Sequence, residues 1–167
     1  MTLGDTPLTA DDPLPHRPRR VLVTGCSGSG KTTLAAALAA RLGIPHQELD
    51  ALFHGPGWVP RPTFVAEVTA LAADLLVWLD LARARVFTQL LSRTVVRRVR
   101  RVELWNGNHE PPLHTIFTDP EHVVRWAWGS YARIGPRVQD VLARPVHPVV
   151  VRLRSRREIR RWLAQLA

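Results

Sequence analysis

The chain has 167 residues, 46% of them hydrophobic, enough for one domain with a buried core and no call for a second. A single cysteine, Cys26, excludes an internal disulfide. No apolar run reaches the roughly 18 residues of a membrane helix, so a cytoplasmic protein without membrane contact is expected. The formal net charge of +9 implies an anionic partner, with nucleotide and nucleic acid both in view. Arginines gather over residues 83–101 and 152–161 without interleaved aromatics, a pattern that favours phosphate contact over base reading.

Residues 1–18 carry four prolines among small and acidic residues and are expected to form a disordered leader before a domain spanning 19–167. Residues 20–24 then read as a buried strand, and 33–42 as an Ala/Leu-rich helix closed by Gly43. Between them Gly25-Cys26-Ser27-Gly28-Ser29-Gly30-Lys31-Thr32 fits the phosphate-loop pattern G-x-x-x-x-G-K-[ST] without substitution. Successive backbone N–H groups closing onto a helix start form a nest for phosphate oxygens, and glycines permit the close approach. Gly25, Ser27, Gly28, Ser29, Gly30, Lys31, Thr32 and Thr33 are therefore the expected nucleotide-binding residues. Lys31 would reach the β- and γ-phosphates and the Thr32 hydroxyl would join the Mg²⁺ shell. Lys31 is the only lysine in the chain. Cys26 reads as a small filler of the loop, since no paired base accompanies it.

Residues 44–50 are expected to return as a second strand ending on Asp50, where ligands of open α/β sheets collect. Asp50 is a candidate for the metal shell or for acceptor contact; a turn aspartate is the alternative. Residues 51–62, broken by Gly55, Pro56, Gly57, Pro60 and Pro62, form a loop in which Trp58 would stack on a base or anchor the loop, and Arg61 would pair with an acceptor phosphate. A helix over 63–73 leads into residues 75–80, a buried parallel strand ending on Asp80 that by composition suits a second nucleotide-site strand.

A long amphipathic helix is expected over 83–102, with Phe87, Leu91, Val95, Val99 and Val102 facing inward and Arg93, Arg97 and Arg100 opposite. Such a stripe is either a solvated face or a set of guanidiniums that neutralise charge on a transferring phosphoryl group. Residues 104–112, with an Asn-Gly turn and two prolines, look like the tip of a lid spanning 83–133. Helices follow over 119–133 and 136–142, with Trp126 and Trp128 unable to share one face. The last strand is 149–153, and Ser155-Arg-Arg-Glu158 is a capping box opening a helix whose Ile159, Trp162, Leu163 and Leu166 form one apolar face.

In this order the phosphate loop, Glu48-Leu-Asp-Ala-Leu-Phe53, Gly57-Trp58, Trp78-Leu-Asp80 with its arginine helix, Leu104-Trp-Asn-Gly-Asn108 and Val151-Arg-Leu-Arg-Ser-Arg156 resemble the FlaR-like proteins, small P-loop proteins related to adenylate and shikimate kinases. The resemblance implies an α/β P-loop NTPase fold of the nucleoside-monophosphate/shikimate-kinase type: a three-layer sandwich with a parallel sheet in the order 2-3-1-4-5 and a helical lid. It also implies Lys31 and Thr32 at the phosphates, Asp50 facing acceptor and metal, and Arg93, Arg97 and Arg101 on the lid. The chain departs from the family in lacking a strand and helix between the segment after Arg61 and Trp78-Leu-Asp80, which makes the expected sheet one strand short. The strand at 75–80 then either takes the vacant third place or keeps the fourth.

These readings converge on a Mg·ATP-dependent kinase acting on a small-molecule or nucleotide acceptor, with Lys31, Asp50, Arg93, Arg97 and Arg101 as its candidate catalytic residues and Thr32 and Asp50 as metal residues. Two alternatives stand beside it: a basic nucleic-acid-binding regulator with a P-loop switch, and a shortened relative that binds nucleotide without turnover.

Overall fold

A computed structural model describes residues 6–47, 73–100 and 123–166. Among them, three strands form one parallel sheet: β1 (Val21–Gly25), β2 (Leu75–Leu79) and β3 (Val149–Leu153), in the order β1-β2-β3. The register pairs Val21 with Leu75, Gly25 with Leu79, Leu75 with Val149 and Leu79 with Leu153. The helices are α1 (Lys31–Leu42), α2 (Arg83–Val99), α3 (Val123–Leu142) and α4 (Arg156–Gln165).

Strand alternation sorts the core into two layers. Val21, Val23, Leu75, Val77, Leu79, Val149, Val151 and Leu153 meet Leu34, Leu38 and Leu42 of α1 and Trp162 of α4. Leu22, Leu76, Trp78 and Val150 point the other way, onto Val138 and Leu142 of α3. β2, the middle strand, is buried on both faces, as its unbroken apolar run requires. The result is the expected α/β fold of P-loop kinase-like type, a parallel sheet between helical layers. β2 touches both β1 and β3, as strand 4 does in the 1-4-5 part of the order 2-3-1-4-5.

Several expectations are corrected. Residues 6–18 are not a disordered leader: the Leu8 N–H donates to the Val150 carbonyl at 2.7 Å, and the Leu8 carbonyl accepts from the Arg152 N–H at 2.8 Å. Leu8 thus caps the outer edge of β3, and Ala10, 1% exposed, plugs into the core. The strap covers an edge that would otherwise offer unpaired N–H and C=O groups, and its prolines have less chain entropy to lose on ordering. Residues 44–47 are not strand; 48–50 and 51–72 lie outside the described residues.

The buried stripe of α2 is Val86, Leu90 and Thr94, whereas Leu91, Val95 and Val99 are exposed. Both stripes have helical spacing, and the neighbours that settled the choice are the phosphate loop and Leu81. The two helices expected around Pro136 are one: Pro136 sits inside α3, where its missing N–H leaves nothing to give to the Ala132 carbonyl. The capping box is present, with the Glu158 N–H donating to Ser155 Oγ and the Arg154 N–H to Glu158 Oε2, at 3.1 and 2.8 Å. Trp162 is buried below that cap and Ile159, Leu163 and Leu166 pack beside it, as expected. Among the described residues no helix is long and apolar enough to cross a membrane.

Candidate functional site

The phosphate loop links β1 to α1 at the carboxyl end of the sheet. A Cβ on Gly25 would lie 2.8 Å from Ser29 Oγ and 2.9 Å from the Leu79 carbonyl oxygen, so the loop turns tightly against β2. Gly28 has φ +86°, and a Cβ there would meet Leu90 Cβ and the Val86 carbonyl oxygen, both at 2.9 Å. The loop therefore lies directly on the first and second turns of α2. The Ser29 N–H donates to the Cys26 carbonyl at 3.1 Å, and the Lys31 ammonium returns to the same carbonyl at 3.1 Å. Gly30 stands at the N-cap of α1 in a left-handed conformation and offers no capping side chain. The first turn of α1 has no intrahelical acceptors for its N–H groups, which is what an anion site requires.

Thr32 and Thr33 are exposed on that turn, Ser27 and Gly28 are half-buried, and Ser29 is buried, its hydroxyl unpaired among the described residues. These groups fit a polyphosphate: a cradle two glycines keep free of side chains, a helix start, a lysine and a hydroxyl. Among the described residues no three His, Cys, Asp or Glu side chains gather as a metal cluster. A phosphate-bound Mg²⁺ needs none, since it keeps its waters and takes one or two protein ligands.

Arg97 continues the stripe Val86-Leu90-Thr94 by one further turn and is half-buried, while Arg93 and Arg100 are exposed. Of the expected site residues, Asp50, Trp58, Arg61 and Arg101 lie outside the described residues, as does the segment 104–112 expected as a lid tip. The described ends of the segment expected to form a lid meet. Arg83 Cζ stacks 3.5 Å from the ring centre of Trp128, and its Nη2 donates to the Trp128 carbonyl at 2.9 Å. Phe87 meets Trp128 edge to face with centroids 5.0 Å apart, and the Tyr131 hydroxyl donates to the Leu81 carbonyl at 2.8 Å. Desolvation, then the nearby Asp80 and Cys26, raise the Tyr131 pKa above its ordinary value.

A second constellation was only partly visible in the sequence. Trp78 and Arg152 are register partners across β2 and β3, so both point to the α3 face, and Asp80, two residues on from Trp78, follows them. Arg152 Nε and Nη2 donate to Asp80 Oδ2 at 2.9 and 2.5 Å, and the guanidinium lies 4.4 Å from the Trp78 ring centre. These residues, with Leu79, Cys26 of the loop and Tyr131, Ala132, Ile134 and Gly135 of α3, line a cavity of about 220 Å³. The signal for Arg152 was a charge within an otherwise apolar buried strand, Val149-Val-Val-Arg-Leu153.

Fold and loop together define a P-loop kinase-like α/β protein. Over 65 residues, 39% of the chain, the sequence is 46% identical to a gluconokinase of Gluconobacter oxydans (strain 621H), and that match spans 35% of the gluconokinase. No protein-family model matches the chain. No solved structure matches it either.

Proposed function

We propose that this chain is a Mg·ATP-dependent phosphotransferase of the FlaR-like, nucleoside-monophosphate-kinase-like class, acting on a small acceptor in the cytoplasm. The observation that carries the reading is the seating of Gly28 on Leu90, which packs a complete phosphate loop against the helix that bears Arg93 and Arg97. The similarity to a gluconokinase supports a small hydroxylated acceptor, and gluconate belongs among the first to be tried.

When bound, Mg·ATP would supply a γ-phosphoryl group that passes to an acceptor oxygen as the bond to ADP breaks, the acceptor hydroxyl releasing its proton to solvent. The chain contributes positioning and charge. Loop N–H groups hold phosphate oxygens, and the Lys31 ammonium moves from the Cys26 carbonyl onto them. Thr32 Oγ1 and Asp50 would hold the metal shell, and Arg93, Arg97 and Arg101 would neutralise charge on the phosphoryl group. Trp58 and Arg61 bind on the acceptor side.

The test is a thermal melt with and without saturating Mg·ATP, in wild type and Lys31→Ala. Ligand at 100 times Kd stabilises by about 2.7 kcal/mol, a shift of roughly 5 to 10 °C for a chain of this size. A shift confined to wild type, with ADP release on adding gluconate or another small acceptor, is the expected result. A cooperative melt that Mg·ATP leaves unmoved overturns the reading.

A further inference from the structure

We propose that the cavity between the carboxyl ends of β2 and β3 and the middle of α3 binds a small polyhydroxylated molecule, read through its hydroxyl groups by Asp80 and Arg152. As the acceptor pocket, the cavity rests on the phosphotransferase reading; as a binding site, it stands on its own geometry.

Its polar groups have spare capacity. Asp80 uses Oδ2 for both bonds from Arg152, which leaves Oδ1 to accept; Arg152 spends Nε and Nη2, which leaves Nη1 to donate. One hydroxyl of a polyol donates a hydrogen bond to Oδ1 and another, farther along its carbon chain or ring, accepts one from Nη1. The pair is electroneutral, so hydroxyls meet no charge conflict there, and a ligand that also carries a carboxylate would hold that group away from Asp80.

The remaining walls suit such a ligand. Trp78 and Ile134 provide apolar surface for a carbon skeleton, and Pro136 leaves the Ala132 carbonyl without its usual helical donor. Gly135 keeps the space open: its missing Cβ would stand 3.8 Å from Trp78 Cζ2. At about 220 Å³ the cavity is smaller than the pockets of about 300 Å³ and upward that take drug-sized ligands. Cys26, the second residue of the phosphate loop, forms part of the wall, so a bound hydroxyl sits beside the loop.

Saturation-transfer NMR with ribitol, D-glucose and myo-inositol, against succinate as a hydroxyl-free compound, tests this in wild type, Gly135→Ala and Gly135→Leu. Saturable binding of at least one polyol is expected. It should be weakened about twofold by Gly135→Ala and about tenfold or more by Gly135→Leu, with Mg·ATP affinity unchanged within about twofold in both. Gly135→Ala keeps the test alive should the larger side chain prevent folding. Polyol binding that survives both substitutions, succinate binding as tight as the polyols, or no saturable polyol binding to wild type overturns the proposal. Cavity-dependent polyol binding in a protein that ignores Mg·ATP upholds the site and removes the phosphotransferase reading.

Discussion

Gly28 and Leu90 touch so closely that a single methyl group on Gly28 would stand 2.9 Å from Leu90 Cβ, inside any real carbon–carbon contact. The phosphate loop and α2 are thereby coupled through a place where only hydrogen fits. Gly28→Ala must push the loop off the helix as well as bear its left-handed φ, and a cost of about 2 to 4 kcal/mol is expected from overpacking plus strain. Gly30→Ala has φ +93° with nothing within 4 Å, so it bears strain alone, about 1 kcal/mol. Urea titration of the two variants should show Gly28→Ala as clearly the less stable; equal midpoints would deny the contact.

Thr94 faces the same interior from the next turn of α2. It is 0% exposed, and among the described residues its hydroxyl has no hydrogen-bond partner. An unsatisfied buried polar group costs about 1 to 3 kcal/mol, and valine has nearly the same shape without it. Thr94→Val should therefore raise stability by about 1 kcal/mol, or about 2 to 4 °C in Tm for a chain of this size. Val99→Ala on the exposed side should change Tm by less than about 1 °C. Loss of stability in Thr94→Val would mean the hydroxyl does have a partner.

That threonine explains why the inward face of α2 was not legible in the sequence. Phe87, Leu91, Val95 and Val99 make the more apolar stripe, and periodicity alone selects it. The fold buries Val86, Leu90 and Thr94 because the short link from Leu79 to Arg83 presents that side to the phosphate loop. Elements that carry their own local signals were legible: the loop glycines, the capping box at Ser155 and the apolar runs of the three strands. The strap at Leu8 was not, since its pairing depends on an exposed edge of β3 more than a hundred residues away. Within the site, the phosphate loop was readable as a motif, whereas the meeting of Trp78, Asp80 and Arg152 needed the β2–β3 register.

The Asp80–Arg152 pair is held from three sides: by its own two hydrogen bonds, by the Trp78 ring and by Leu8, whose carbonyl fixes the Arg152 N–H. The side chains are 24% and 33% exposed, so solvent screens part of the attraction. A double-mutant cycle with Asp80→Asn and Arg152→Gln should give a coupling of about 1 kcal/mol. Arg152→Gln alone also gives up the stacking on Trp78, about another 0.5 to 1 kcal/mol. A coupling near zero would reduce the pair to adjacency. If Arg152→Gln lowers stability without changing Trp78 fluorescence, the stacking has no energetic role.

The strap should respond to acid. Asp12 Oδ2 accepts from the Thr9 N–H and from Thr9 Oγ1, each at 2.7 Å, closing a turn just after Leu8 docks on β3. The backbone bond, then the side-chain bond, lower the Asp12 pKa below its ordinary 3.8. A depressed folded-state value means that the unfolded chain takes up the proton first. The contribution is therefore complete above the ordinary carboxylate value and is lost as pH falls through the lowered one. In Asp12→Asn no such proton is taken up. Below about pH 4 the Tm of wild type should fall more steeply than that of the variant, and the two slopes should agree near neutrality, where the unfolded aspartate is also ionised. Exchange of the Leu8 amide should accelerate over the same acid range once corrected for its intrinsic pH dependence, because the bond it makes to Val150 is the one the turn supports. Parallel Tm curves at low pH would detach the turn from the strap, and a Leu8 amide indifferent to Asp12→Asn would show that the strap's other ties, Ala10 in the core and the Asp11–Arg161 ion pair, hold the segment without the turn.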